Sequence, residues 1–163
     1  MRANKKNSKK TFKVDTSTRN LFVLYDQTRD ILIRAIELEL KHSKTNYAQT
    51  RIFYILSQGK NGVTQTDLAK WTLRNLNTVS TLINKMEKEG LVKRAKSKED
   101  GKVYVTITQK GSKIWNEVSE RAISLTFSAL SEEEKIQLKA IVKKMRTAIR
   151  NMLGLDFKPT FLQ

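Results

Sequence analysis

Apolar positions recur along this chain at two spacings, and the switch between them divides it. Leu21, Leu24, Thr28, Ile31, Ala35, Leu38 and His42 share one 3-4 stripe, widened by Phe22, Tyr25, Leu32 and Ile36. That pattern predicts a long helix over residues 16–44, with more apolar surface than one neighbour can cover. Ala48, Ile52, Ile55 and Leu56 mark a shorter helix, stopped by Gly59-Lys60-Asn61-Gly62. Thr64-Gln65-Thr66-Asp67 has the order of a capping box. In such a box the Thr hydroxyl accepts from the third helical N–H, and Asp67 reaches back to the N–H of the cap. A short helix follows, with Leu68 and Ala69 turned inward. Asn75 then caps a second helix, in which Val79, Leu82, Ile83 and Met86 repeat at helical spacing. Lys85, Lys88 and Gly90 suit its C-terminus, where the dipole favours cations and glycine tolerates left-handed backbone.

Beyond Gly90 the period falls to two. Val103, Val105 and Ile107 alternate with polar residues as in a strand, and Leu91-Val92-Lys93-Arg94 reads as its partner. Lys96 to Lys102 form the turn, with Asp100-Gly101 as the hairpin signal. Past it, Ile114, Trp115, Val118, Ala122, Leu125 and Ala129 predict one helix capped by Thr108. Ser131-Glu132-Glu133-Glu134 opens a last helix, lined by Leu138, Ile141, Val142, Met145, Ile149 and Met152 and closed by Gly154. The expected fold is mostly α with a small β-hairpin wing. A winged helix-turn-helix spans 46–108, flanked by dimerisation helices over 16–44 and 110–154, in a single domain of residues 14–154. Residues 1–13 read as a disordered basic tail and 155–163 as a C-terminal tail.

Several residues here stand in the order and spacing of a known family. Leu68-Ala69, Thr78-Val79-Ser80, Leu82-Ile83, Met86-Glu87, Gly90-Leu91-Val92, Arg94, Asp100, and Thr108 with Gly111 resemble the multiple-antibiotic-resistance regulator (MarR) family. The resemblance covers about 45 residues. It departs from the family at the wing, where Ser97 replaces an acidic residue and Asp100-Gly101-Lys102 replaces an Asp-Arg-Arg-like tip. The resemblance implies a homodimer interlocked through its terminal helices. It also implies a repressor, and a small-molecule effector pocket between the helical region and the winged domain. Trp71, Tyr25, Tyr54, Arg51 and Trp115 are candidate pocket residues, each explained equally well by ordinary packing, so no ligand site is assigned.

Charge sharpens the partner. Lys and Arg number 32 against 16 acids, a net charge of +16 over 163 residues. Such an excess favours nucleic acid or an anionic surface. Residues 1–13 alone hold six cations and no acid. The chain has no cysteine and one histidine, His42, which excludes disulfides, thiol redox sensing and a histidine metal cluster. No cofactor is expected. The longest apolar run, Leu21 to Tyr25, is far too short to cross a membrane, and no signal-peptide core follows the basic N-terminus. The expected location is the cytoplasm.

The exposed face of the second helix offers Asn77, Thr78, Thr81 and Lys85, with Ser80, Asn84 and Leu76, for a DNA major groove. Asn pairs well with adenine, and Thr can bond a base edge or place its methyl on thymine. Thr64, Gln65, Lys70, Arg74, Lys85, Arg94, Lys96, Lys98 and Lys102 are candidates for phosphate, with Asn75 at the helix start. No catalytic constellation is present. His42 has no nucleophile signature near it, and Glu132 to Glu134 are explained by their cap. The leading expectation is therefore a dimeric transcription regulator on double-stranded DNA, not an enzyme. A sequence-tolerant architectural DNA binder and a winged-helix protein-interaction module are the competing readings.

Overall fold

The computed structural model describes residues 12–59 and 61–155. The tail expectations for residues 1–11 and 156–163 lie outside the described residues. Asp15 accepts from the Thr18 N–H at 2.8 Å and starts α1 (Thr16–Leu40). The helix ends four residues before the expected 44. Lys41, His42, Ser43 and Lys44 are polar and give the apolar stripe nothing to continue, and the backbone at Asn46 must extend to cap the next helix. Asn46 and Gln49 form a full capping box on α2 (Tyr47–Gln58).

Strand β1 (Val63–Thr64) leads into α3 (Gln65–Thr72). Thr64 Oγ1 accepts from the Asp67 N–H at 3.1 Å, as expected of the cap. The reciprocal bond differs: the Asp67 carboxylate accepts from the Thr64 hydroxyl at 2.7 Å, not from its backbone N–H. α4 (Leu76–Lys88), β2 (Val92–Lys96), β3 (Val103–Ile107), α5 (Gln109–Asn116), α6 (Arg121–Ser128) and α7 (Glu132–Met152) complete the order. The expected mostly helical fold with a hairpin wing is what the chain adopts.

The sheet is antiparallel in the order β1-β3-β2, with Val63 opposite Val105 and Arg94 also opposite Val105 from the other side. Strand β1 carries two residues, too few for a period-2 signal, and only the sheet reveals it. Gly62, at φ 88°, lets it approach: a Cβ there would lie 2.8 Å from the Val105 carbonyl oxygen.

The single helix expected over Ile114 to Ala129 is two. Glu117 N–H is shared between the Lys113 and Ile114 carbonyls, and Val118 N–H tightens to Trp115 O at 3.1 Å. The break redirects the chain. α5 sends Ile114 into the core, while α6 packs on α1.

One core unites the winged domain. Ile52, Phe53, Ile55 and Leu56 of α2 meet Leu68, Val79, Ile83, Met86, Leu91, Val92 and Val105. Burying side chains of this size contributes about 1.5–3 kcal/mol each before the entropy cost. α7 contrasts sharply: none of its residues is buried, and Leu138, Ile141, Val142, Met145 and Ile149 face outward. Leu21, Phe22, Leu24 and Ile31 of α1 are exposed too.

Candidate nucleic-acid interface

α3 and α4 are joined by a turn in which Leu73 adopts left-handed backbone (φ 53°, ψ 39°). Arg74 N–H bonds Ala69 O at 3.0 Å across it. That closure satisfies the last carbonyls of α3 and releases α4 at a new angle. Val79, Ile83 and Met86 anchor α4 in the core. Leu76, Asn77, Thr78, Thr81, Asn84 and Lys85 remain exposed on its other side, and Ser80 is half-buried.

These polar groups are not equally available. Asn75 Oδ1 accepts from both the backbone N–H and the hydroxyl of Thr78, at 2.8 and 2.7 Å. Asn75 and Thr78 thus hold the helix start and one another. Asn77 and Thr81 project beside them, and Lys85 lies 3.9 Å from Glu89 in a loose pair. Arg74 is exposed at the head of the helix.

The wing is an ordered hairpin. Ser97 Oγ accepts from the N–H groups of Glu99 and Asp100 at 3.2 and 3.4 Å. Gly101, at φ 69°, turns the tip. The Asp100 carboxylate accepts from the Tyr104 phenol at 2.9 Å and the Lys102 N–H at 3.1 Å. The Tyr104 phenol bond above all, then the Lys102 backbone, holds the Asp100 carboxyl down to about 2. Lys102 Nζ stands 3.4 Å from the same carboxylate. Lys96 and Lys98 are exposed.

Between wing and α3 lies an open cleft of about 650 Å³, walled by Thr64, Gln65, Lys70, Lys102 and Val103. Here the N-terminus of α3, Lys70 and the wing's Lys102 converge beside the Asp67 carboxylate, a setting in which the two lysines can meet phosphate. Arg94 also lines it, but its guanidinium is taken up by Glu87 and by Asn84 Oδ1, the latter at 2.6 Å. Sequence reasoning did not pair Glu87 with Arg94, although opposite charges flanking the Gly90-Leu91 turn were an available signal.

A second cavity, about 470 Å³, opens between α2, α5 and the start of α6. Tyr54, Arg51, Trp71 and Trp115 line it together with Tyr47 and Glu120. Of the candidate pocket residues, Tyr25 is not among its walls.

A helix held by its apolar face, a polar opposite face and a basic hairpin alongside define a winged helix-turn-helix. Residues 44–102 match the sequence model described as the MarR family. Among solved structures, the DNA complex of MepR from S. aureus is similar at 25% identity, covering 77% of this chain and 94% of that one (TM-score 0.70). AbsC, a MarR family transcriptional regulator from Streptomyces coelicolor, is 20% identical over 86% and 99% (TM-score 0.77). CouR from Rhodococcus jostii RHA1, bound to p-coumaroyl-CoA, is 15% identical over 90% and 100% (TM-score 0.69). No curated protein sequence matches the chain. Residues 44–102 thus carry a winged helix-turn-helix similar to that of the MarR family, on a fold shared with MarR-family structures.

Proposed function

We propose that the chain is a sequence-specific, DNA-binding transcription regulator that acts as a homodimer. The observation that carries this reading is the exposed row Asn77, Thr81 and Lys85 on α4, beside a wing bearing Lys96, Lys98 and Lys102. The likeness to MepR bound to DNA supports it. Short polar side chains read base edges, and the cations bind phosphate or the minor groove. At the tip Lys102 replaces a guanidinium fork with a point charge, which weakens minor-groove insertion. The charge of +16 supplies the nonspecific attraction on which reading is built.

The outward apolar faces of α1 and α7 support the dimer, because a two-fold partner would bury stripes that one chain leaves in water. Two such subunits present paired α4 helices to half-sites about 10–11 base pairs apart, an inverted repeat. The regulator acts as a repressor in the cytoplasm, released when a small molecule enters the cavity beside Tyr54, Trp71 and Trp115. CouR bound to p-coumaroyl-CoA supports an effector for a protein of this fold. The role is regulation, not catalysis.

The test is selection of bound fragments from the source genome, followed by footprinting. An inverted repeat protected on both halves is expected; a fragment pool with no shared sequence points instead to architectural binding, which the high charge also favours. Leu138→Glu with Met145→Glu should give monomers in sedimentation and abolish binding. A monomeric wild type at micromolar concentration that still binds a two-fold site tightly would refute the dimer.

A further inference from the structure

The geometry around Arg94 assigns it a role different from the phosphate contact its place beside the wing suggests. We infer that Arg94 is a positioning residue that fixes the pitch of α4, and so governs specificity more than affinity. The inference rests on the DNA-reading role proposed above.

Arg94 stands on β2, opposite Val105, with its side chain only 23% exposed. Its Nη1 donates to the Glu87 carboxylate, and its Nη2 to Asn84 Oδ1 at 2.6 Å, both on α4. With the Gln65 amide turned so that its oxygen faces the guanidinium, that oxygen accepts from Nη2 at 2.5 Å and Nε at 2.9 Å. The second Glu87 oxygen accepts from the Arg94 backbone N–H at 3.1 Å. Most of the guanidinium's donors are therefore spent on protein oxygens, and its charge is matched by a carboxylate. Such a group has little left for phosphate. What it joins are the three parts that must keep register on DNA: the wing strand, the first residue of α3, and the C-terminal half of α4.

The bracing at Glu87 sits far from Asn77 on the same helix. Asn77 is ten residues from Glu87, roughly 15 Å along the axis. A tilt of about 5° at the brace would therefore move Asn77 by about 1 Å, enough to spoil a base-edge hydrogen bond. Lysine keeps the charge but cannot bridge three partners with one planar fork.

The experiment measures Arg94→Lys and Glu87→Gln in the full chain. Each is titrated on a duplex selected from a random pool by the wild type, and on a random duplex of equal length, across a salt series. Circular dichroism and melting first confirm that each variant is folded. Arg94→Lys should lower the selected-to-random affinity ratio by at least about tenfold, the worth of one charge-assisted hydrogen bond, with the salt slope unchanged. Glu87→Gln, which frees the cation, should raise random-DNA affinity while lowering the same ratio. If Arg94→Lys keeps the wild-type ratio, or if Glu87→Gln raises both affinities equally, the positioning role is overturned. A wild type with no preference between duplexes would overturn the proposed reading and this inference together.

Discussion

Gln49 Nε2, in the first turn of α2, donates to the Glu89 carboxylate at 2.8 Å, forty residues away at the C-cap of α4. Gln49 is 3% exposed, and its oxygen accepts from the Asn46 N–H at 3.1 Å and the Thr45 hydroxyl at 3.2 Å. One amide thus closes the α2 capping box and ties that helix to the far end of α4. Gln49→Leu keeps the volume but strands the cap N–H and loosens Glu89. It should cost about 2 kcal/mol, read as a shift in urea midpoint at fixed protein concentration. An unchanged midpoint would show that the amide contributes nothing.

Thr108 and Gly111 occupy a tight corner. Thr108 Oγ1 donates to Gly90 O at 2.6 Å and accepts from the Gly111 N–H at 3.0 Å. A Cβ on Gly111 would sit 2.0 Å from the Leu91 carbonyl oxygen, whereas one on Gly101 would meet nothing within 4 Å. Gly111→Ala must push a helix off the sheet and should cost more than about 3 kcal/mol. Gly101→Ala carries only left-handed strain, about 1–2 kcal/mol. Comparable melting losses for the two variants would contradict this account.

What the sequence made legible was local. The caps at Asn75, Thr108 and Ser131 rest on bonds three residues long, and all three form. The wing hairpin followed from alternation and from Asp100-Gly101, although β2 runs to Lys96, two residues past the expected Arg94. Less legible were features that need the third dimension. Strand β1 exists because β3 lies beside it, and the break at Glu117 to Glu120 arises because α5 and α6 pack on different partners. Arg94 resembles any other wing cation in sequence, because Glu87, Asn84 and Gln65 gather around it only in the fold. The unburied stripe of α7 was legible as surplus hydrophobicity, since a single chain has nothing to lay against it.

The wing tip should answer to acid. The hydrogen bonds from Tyr104 and Lys102 hold the Asp100 carboxyl at about 2, below its ordinary 3.8. A carboxyl depressed by folding favours the folded wing at neutral pH, and that contribution fades as pH falls from about 4 towards 2. The same bond pushes the Tyr104 phenol above its ordinary 10.0, so strong alkali also breaks it. NMR titration of the Asp100 side-chain carboxyl should show a midpoint near 2, rising towards 3.8 in Tyr104→Phe. An ordinary midpoint in the wild type would mean that the bond does not persist in solution.

Specificity and affinity should separate between Asn77 and Lys102. Asn77 is exposed one residue into the row that α4 presents, and its amide can pair with adenine N7 and N6. Lys102 sits on the wing with Asp100 at 3.4 Å, an exposed and therefore weak pair that leaves the ammonium able to turn to phosphate. Asn77→Ala should then cost about 1–3 kcal/mol on the selected duplex and little on random DNA. Lys102→Ala should weaken both duplexes by similar factors and flatten the log-affinity against log-salt slope by about 1 for each phosphate that the ammonium neutralises. Lys102→Arg should tighten binding where the minor groove is narrow and A·T-rich, because it restores a planar fork. Salt titrations of the three variants on both duplexes decide the matter. Equal losses on both duplexes for Asn77→Ala would remove it from base reading, and an unchanged slope for Lys102→Ala would remove the wing lysine from the phosphate-binding groups.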